Sequence, residues 1–383
     1  MKLTKTLKSS LIVATMALTL TACGSSSGDD PKPPPPPAED IVVDYQDVIN
    51  DLVSADIPGI VLLVETPEGR FLGSAGVSNL ETQQAMQVGD TIPTGSTGKK
   101  MIALLAVQLA DEGLLNLDDT LDTWLGEDIL SRIPNSKQMT MRQLLNHTSG
   151  VFNYDEIDDG EAYSDLFLAE PDVLKTDIDF LELIFDHPGY FLPGEGYEYS
   201  SSGYSLAALI MDEVLGEHHS VAMRNRFFDP LGMTSTYYKG SEASMGDFIS
   251  GYLTTVEGDF IDTKEFLINT SKADSPVVSS VEDMATFFKA LITDDSFAND
   301  AVKNTMLGED NRGEEAFGIG VATFNGHTVY LHAGLTFGYT AQSIYIEDTD
   351  TSIVLFFNCG NGGVNTCATS HDGLIQTVIE NEL

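Results

Sequence analysis

Hydrophobic residues follow two different spacings along this chain. Spacings typical of strands lie near its two ends, and a spacing typical of helices lies between them. Near the start, residues 59–65 form a Val-, Leu- and Ile-rich run, and a turn signal at residues 66–69 separates it from a second run at residues 70–76. Two such runs around a Pro- and Gly-containing turn predict a β-hairpin. Strand patterns return towards the C-terminus, at residues 317–324, 328–332, 340–346 and 351–357.

Helical spacing dominates the region between these strands. Ile102, Leu105 and Leu109 predict a helix that leads away from Ser96. Ser280 opens a capping-box-like pattern ahead of a further helix. Helical spacing is also present at residues 48–53, 205–215 and 374–379.

Strands at both ends with helices between them predict an α+β fold. We expect one sheet to combine the N- and C-terminal segments, with a mostly helical subdomain at about residues 100–270 as an insertion. The segment from residue 41 to residue 383 is long enough to bury a large core and to form such subdomains.

The first residues are typical of an export signal. Three lysines precede an apolar run at about residues 11–20, and Leu-Thr-Ala-Cys follows at residues 20–23. This ending resembles a bacterial lipoprotein cleavage site, with Cys23 as the lipidated residue, and the apolar run is too short to span a membrane. The alternative is an ordinary signal peptide with an incidental cysteine. We therefore expect an exported protein, lipid-anchored at an outer membrane or periplasmic face.

The segment after Cys23 is predicted to be a spacer. Residues 24–40 contain three consecutive serines and five consecutive prolines, a composition that cannot form a packed core. The proline run favours stiff polyproline II, which holds a domain away from the bilayer. The expected organisation is a signal at residues 1–22, a lipidated linker at residues 23–40 and one folded domain at residues 41–383.

The strongly acidic composition excludes nucleic acid as a partner. The chain has 19 Lys and Arg residues against 59 Asp and Glu residues, a formal net charge of −40. The acids are dispersed, for example at residues 158–159, 294–295 and 347–350. They predict a solvated acidic surface that would repel a polyanion.

Cysteine and histidine usage gives one expected crosslink and no metal site. Besides Cys23 the chain has only Cys359 and Cys367, which in an exported protein are expected to form a disulfide, with two free thiols as the alternative. His218 and His219 are adjacent and lack a ligand partner at helical distance. We expect neither a metal nor a cofactor.

Ser96 and Lys99 are the first candidate for chemistry. Residues three apart share one face of a helix, so the hydroxyl and the ammonium can meet. The positive end of the helix dipole favours developing alkoxide charge, so Ser96 is a candidate nucleophile. A simple helix cap beside a solvated lysine is the alternative, and the adjacent Lys100 fits the solvated description better than Lys99.

Two later motifs extend this pattern in a fixed order. Tyr199-Ser200-Ser201 and then His332-Ala333-Gly334 follow Ser96-Thr97-Gly98-Lys99. The set resembles the penicillin-recognising serine hydrolases: class C β-lactamases, DD-peptidases and related esterases and D-aminopeptidases. Their motifs are Ser-x-x-Lys, Tyr-x-Asn and Lys-Thr-Gly or His-x-Gly. The resemblance runs from about residue 45 to the C-terminus and includes residues 144–150, 193–195, 231–233, 281–285 and 317–320.

The resemblance implies a fold and a mechanism. The sheet would be antiparallel and flanked by helices, with a catalytic cleft between it and an all-helical region. Ser96 would form an acyl-enzyme, and Lys99 would either take its proton or hold positive charge beneath it. Tyr199 would act as general base and then as general acid. An ammonium about 4 Å away can lower a phenol pKa by roughly three units at an effective dielectric near 20, so we expect Lys99 to depress the pKa of Tyr199.

The third motif implies the remaining site residues. His332 would bridge Tyr199 and substrate or would only orient its strand. Gly334 would let substrate backbone approach an edge strand, and the backbone N–H groups of Ser96 and Leu335 would form the oxyanion hole.

Two departures from the family pattern bear on substrate. Ser201 stands where the second motif carries Asn, and its short hydroxyl cannot offer an amide donor and an acceptor together. Ala333 and Leu335 stand where relatives carry hydroxyls that bind a substrate carboxylate. We therefore rank β-lactamase activity below peptidase or esterase activity.

The sequence thus predicts a serine hydrolase that acts on D-amino-acid peptides, in a DD-carboxypeptidase-like manner, or on small esters or amides. The alternatives are a β-lactamase and a surface-binding lipoprotein that keeps the fold without turnover. A small-molecule or peptide substrate is the expected partner, and the oligomeric state stays open.

Overall fold

The structure is a computed structural model that describes residues 43–54, 56–242, 246–254, 259–308, 315–363 and 367–383. The predicted export signal, Cys23 and the linker at residues 24–40 lie outside the described residues. No helix in the part that the structure describes is both long enough and apolar enough to cross a membrane.

Strands cluster at the two ends of the chain. They are β1 (Gly59–Thr66), β2 (Gly69–Asn79), β3 (Gln84–Ala85), β4 (Ile92–Pro93), β5 (Lys175–Thr176), β6 (Tyr237–Tyr238), β7 (Tyr252–Thr254), β8 (Phe260–Asp262), β9 (Thr270–Ser271), β10 (Val277–Ser279), β11 (Gly320–Phe324), β12 (His327–Thr336), β13 (Tyr339–Ile346), β14 (Thr351–Phe357) and β15 (Cys359–Gly363).

Helices form most of the middle of the chain, and one helix lies near each end of the described residues. They are α1 (Tyr45–Leu52), α2 (Lys99–Asp111), α3 (Glu127–Leu130), α4 (Met141–Leu145), α5 (Glu161–Ala169), α6 (Asp177–Leu181), α7 (Ser201–Leu215), α8 (His219–Met223), α9 (Lys264–Leu267), α10 (Val281–Thr293), α11 (Asp300–Leu307) and α12 (Cys367–Glu382).

One antiparallel sheet joins the two ends of the chain. Within the described residues it has seven strands in the order β11-β12-β13-β14-β1-β2-β3. The C-terminal strand β14 pairs with the N-terminal β1 in the register Leu62↔Leu355. The predicted α+β fold with an antiparallel sheet is therefore confirmed.

Strand β1 shows why both faces of this sheet are covered. Successive side chains of a strand point to opposite faces. Val61 and Leu63 pack into the core that contains α2 and α10, whereas Ile60 and Leu62 pack into a second core with α1 and α12. Because both faces are buried, β1 is a continuous apolar run rather than an alternating one.

Most of the elements predicted from the sequence are present in the structure, but some of their boundaries differ. The predicted strand at residues 317–324 is shorter, because a 3₁₀ turn at Ala316–Gly318 precedes β11. Phe317 there has φ 53°, in the left-handed region that a strand cannot contain. The region predicted as a helical insertion holds α2 to α9, but it also holds the short strands β5 to β8, which are too short to leave a periodic signal.

A disulfide joins the start of β15 to the start of α12. Cys359 and Cys367 are bonded, with Cα atoms 6.1 Å apart and a sequence separation of 8. Both cysteines are buried in the core that contains α1 and α12. The crosslink therefore ties the C-terminal helix to the sheet.

We predict that replacing both Cys359 and Cys367 with Ala lowers the free energy of unfolding by about 2–3 kcal/mol. The physical reason is the larger conformational freedom of an unfolded chain without the small loop that this crosslink closes. Urea denaturation measures the change, with the wild-type protein under reducing conditions as the matched comparison. If reduction destabilises the double variant as much as the wild type, this assignment fails.

Candidate active site

Ser96 is presented on a turn that presses against strand β12. It lies in a short 3₁₀ helix, Gly95–Gly98, that runs directly into α2, and it is the one residue between Ile92 and Val107 that is not buried. Gly95 has φ +56°, and a Cβ there would lie 2.8 Å from the backbone nitrogen of Leu335. Glycine is required because the turn is left-handed and the strand leaves no room for a side chain.

Three functional groups converge on the Ser96 hydroxyl. Lys99 Nζ lies 3.1 Å from Ser96 Oγ, the contact that the spacing of three residues predicts. The Tyr199 hydroxyl donates to the same oxygen at 2.8 Å. Tyr199 reaches this point because it lies two residues before α7, whose first turn packs beside the start of α2.

Lys99 is completely buried and has mostly neutral partners. Its ammonium donates to the main-chain carbonyl of Asp274 at 2.8 Å, and the Ser201 hydroxyl lies 3.5 Å away. The Asp274 carboxylate is farther, at 3.9 Å. Burial lowers the pKa of Lys99 to about 8, although Asp274 and Asp155 oppose the shift. A neutral amine is therefore accessible near physiological pH.

The environment of Tyr199 is opposite to the one expected from the sequence. Burial, followed by the charge of Glu315, raises the pKa of Tyr199 well above its usual value. The Lys99 ammonium lies 5.0 Å from the ring centroid and does not bond the phenol oxygen, so it does not supply the expected depression. His147 stacks on the ring at 4.4 Å. In the resting site Tyr199 is a proton donor.

Ser201 acquires a carboxylate partner that sequence reasoning missed. Its hydroxyl donates to Asp155 at 2.9 Å, and its backbone N–H donates to the Asn153 side chain at 3.1 Å. Asp155 lies in the Tyr154–Gly160 turn, and Asn153 caps that turn. The Ser201 hydroxyl is therefore held by a carboxylate from a separate segment of the chain.

Gly334 has a packing role that sequence reasoning missed. A Cβ at this position would lie 2.0 Å from the carbonyl oxygen of Thr94 and 3.1 Å from the backbone nitrogen of Ser96. The nucleophile turn therefore requires glycine here. This close packing brings the backbone of Ser96 next to that of Leu335, as an oxyanion hole between these two N–H groups demands.

His332 is held away from the reacting groups. It is 1% exposed, its Nδ1 lies 2.6 Å from the carbonyl oxygen of Gly318, and its Nε2 lies 3.8 Å from Glu315. Burial lowers its pKa to about 4, so the ring is neutral. These contacts favour the second of its two expected roles, in which it orients β12 against the turn before β11.

Lys100 is not the solvated lysine that the sequence suggested. It is fully buried and donates to the carbonyl of Thr97 at 2.9 Å and to the Ser343 hydroxyl at 2.7 Å. The reason is that α2 lies between the sheet and the helical region, so every side of its first turns is covered.

The adjacent histidines do have a carboxylate neighbour, contrary to expectation. Ligand atoms of Asp212, His218 and His219 lie within 4.8 Å of one another. Both ring nitrogens of His219 are already engaged at 2.8 Å, by Asp212 and by the Tyr238 hydroxyl. These contacts make the group a hydrogen-bonded anchor for α8 and β6.

A second ion pair behind Lys99 was also missed by sequence reasoning. Lys272 and Asp274 are buried, and the Lys272 ammonium lies 3.1 Å from the Asp274 carboxylate. The available signal was two opposite charges immediately before the apolar strand β10. The same pattern is common at exposed positions, so it carries little information without the fold.

Comparison with known proteins agrees with this geometry. The Beta-lactamase family model matches residues 39–372. The chain is 27% identical to penicillin-binding protein 4* of Bacillus subtilis over 319 residues, which cover 78% of this chain and 67% of that protein.

Solved structures with the same fold include an amidohydrolase and an amidase. A D-stereospecific amidohydrolase from Streptomyces sp. has a TM-score of 0.72 and 25% identity, covering 88% of this chain and 97% of that one. The D-amino acid amidase of Ochrobactrum anthropi SV3 has a TM-score of 0.72 and 23% identity, covering 88% and 98%.

The family match spans most of the chain and includes the turn that carries Ser96, the start of α7 and strand β12. The chain belongs to the β-lactamase family and is a serine hydrolase of the β-lactamase and penicillin-binding-protein superfamily.

Proposed function

We propose that the protein hydrolyses D-amino-acid peptides, amides or small esters through an acyl-enzyme on Ser96, with DD-carboxypeptidase-like cleavage as the most specific form. The observation that carries the proposal is the pair of contacts on Ser96 Oγ, from Lys99 at 3.1 Å and from Tyr199 at 2.8 Å. One hydroxyl therefore has a proton acceptor and a proton donor within hydrogen-bond reach.

The two neighbours divide the proton transfers between them. Neutral Lys99 takes the proton of Ser96 as its oxygen attacks the substrate carbonyl carbon. Backbone N–H groups stabilise the oxyanion. When the tetrahedral intermediate collapses, Tyr199 gives its proton to the leaving group, and proton exchange with solvent then restores the phenol and the neutral Lys99 amine. Water then attacks the acyl-enzyme with the same groups acting in reverse.

The proposed substrate class draws on two kinds of support. Two structural neighbours are named as a D-stereospecific amidohydrolase and a D-amino acid amidase. The chain also lacks hydroxyls at Ala333 and Leu335, and Ser201 replaces an amide side chain. These differences weaken binding of the carboxylate of a β-lactam. They weaken attack on a small amide or ester less.

We predict that Ser96→Ala abolishes hydrolysis of a chromogenic ester, because the nucleophile is removed. Ser235→Ala, at a serine outside the site, is the matched control and should retain the wild-type rate. Intact mass after incubation with D-Ala-D-Ala peptides, D-amino-acid amides, short-chain esters and β-lactams reports the acyl adduct and the preferred substrate. Unchanged turnover in Ser96→Ala would contradict the assignment, and no adduct with any substrate or a fluorophosphonate would favour the binding lipoprotein.

We predict that Tyr199→Phe lowers the hydrolysis of an amide or alkyl ester by about 10²–10⁴-fold. A nitrophenyl ester should lose much less, because its leaving group departs without protonation. Steady-state rates on the two substrates measure the difference. Equal losses would mean that Tyr199 acts on Ser96 rather than on the leaving group.

We also propose that the protein is exported and anchored to a membrane through lipid on Cys23. The wild-type protein should partition into the detergent phase of Triton X-114, and the mass of its N-terminal peptide should show a lipidated Cys23. Cys23→Ala should lose the lipid mass. Recovery of the wild type in the aqueous phase with an unmodified N-terminal peptide would overturn this proposal.

A further inference from the structure

Four charged side chains, three of them buried and one half-buried, form a compact group behind Ser96. They are Lys99, Asp274, Lys272 and Asp155, and we call them the ion quartet. Lys272 is 1% exposed and Asp274 is 4% exposed. Asp155 joins the group through Ser201, whose hydroxyl lies between the Asp155 carboxylate and the Lys99 ammonium.

We infer that Lys272 is a positioning residue for catalysis: it is the resident cation of Asp274, and by occupying that carboxylate it leaves Lys99 free to release a proton. The inference rests on the proposed role of Lys99 as the base for Ser96. It concerns a residue that makes no contact with the reacting hydroxyl.

The distances assign the Asp274 carboxylate to Lys272. The Lys272 ammonium lies 3.1 Å from both carboxylate oxygens, whereas the Lys99 ammonium lies 3.9 Å from the nearer one. The short bond of Lys99 goes instead to the main-chain carbonyl of Asp274, at 2.8 Å. A carbonyl accepts from an amine as well as from an ammonium, so this bond holds Lys99 in place without fixing its charge.

The surroundings of Lys272 keep it charged. Its ammonium lies 4.8 Å from the ring centroid of Tyr163 and 4.9 Å from that of Phe180, and it donates to the Tyr163 hydroxyl. Cation–π contacts of this kind are strongest in desolvated sites. Burial, the largest single influence, lowers the pKa of Lys272, but Asp274, Tyr163 and Asp155 together outweigh it and raise that pKa above its usual range. For Lys99 the nearest carboxylate is farther away, at 3.9 Å, and the acidic neighbours do not offset its burial, so Lys99 is the lysine that titrates.

Charged and titratable groups face Lys99 from several elements. Tyr199 faces Lys99 from the segment before α7, and Tyr204 faces it from α7 itself. Asp274 and Lys272 lie between β9 and β10, Asp155 lies in the Tyr154–Gly160 turn, and Glu315 lies just before β11. His147 and His332 complete the set. Both histidines are neutral, because burial lowers their pKa values.

The sign of the Lys272 effect follows from counting charges. When Lys99 is neutral, Asp155 and Asp274 share one cation, Lys272. Without Lys272, loss of the Lys99 proton would leave two carboxylates in the quartet with no cation at all. Lys99 would then hold its proton to higher pH.

The test compares the pH dependence of Ser96 acylation in Lys272→Met, Asp274→Asn and the double variant. We expect the half-maximal pH to move up by about one unit in Lys272→Met, with acylation about tenfold slower at pH 7. We expect it to move down in Asp274→Asn and to return towards the wild-type value in the double variant. A purely structural role for Lys272 would not give shifts of opposite sign that cancel.

Two further variants serve as controls. Lys175→Met removes another buried lysine, whose carboxylate partner is Glu170 at 3.4 Å rather than a member of the quartet, and should leave the half-maximal pH unchanged. Lys272→Arg retains the charge and should restore the wild-type half-maximal pH. If Lys272→Met does not fold, the downward shift in Asp274→Asn and its reversal in the double variant carry the test.

A direct titration separates this inference from the proposed function. Carbon-13 NMR of labelled lysine, with the Lys99 signal assigned by Lys99→Met, follows Lys99 without any substrate. A higher Lys99 pKa in Lys272→Met supports the inference even if no substrate acylates Ser96. Acylation with the same Lys99 titration in wild type and Lys272→Met would overturn the inference and leave the proposed function intact.

Discussion

The complete burial of the Lys99 ammonium beneath Ser96 is the constraint on which the rest of the site depends. A buried charge without compensation is costly, so such a group either finds partners or gives up its proton. Here the nearest partners are a hydroxyl and a main-chain carbonyl, and the carboxylate is more distant. A buried lysine with mainly neutral partners is a base, and its position one turn from Ser96 directs that basicity at the nucleophile.

The fold supplies this burial by covering α2 on every side. Strands from both ends of the chain form the sheet beneath it, and α7 brings Tyr199 and Ser201 against its first turn. The close approach of the Ser96 turn to Gly334 fixes the distance between the nucleophile and strand β12. The same packing buries Lys100, so two adjacent lysines share the same desolvation but have different neighbours.

Local and nearly local features of the site could be predicted from the sequence. The spacing of Ser96 and Lys99 predicts their contact directly, and the resemblance to a known family supplied Tyr199 and Ser201. The alternating and continuous apolar runs predicted the sheet, because strand periodicity is set by the backbone. The features that could not be predicted are those that depend on where charged side chains lie in the folded structure. Asp155 is 46 residues from its partner Ser201, and the buried pair Lys272 and Asp274 has the same pattern as an exposed pair. The raised pKa of Tyr199 likewise follows first from its burial in the folded protein and then from the charge of Glu315, which is 116 residues away in the sequence.

The account therefore rests on neutral Lys99 as the group that activates Ser96. The most direct measurement is the rate of Ser96 modification by a fluorophosphonate as a function of pH, with the labelled residue identified by tandem mass spectrometry. The account predicts labelling at Ser96 with a half-maximal rate near the Lys99 pKa of about 8. Labelling of another residue, or a rate at Ser96 that does not change between pH 6 and pH 10, would contradict it.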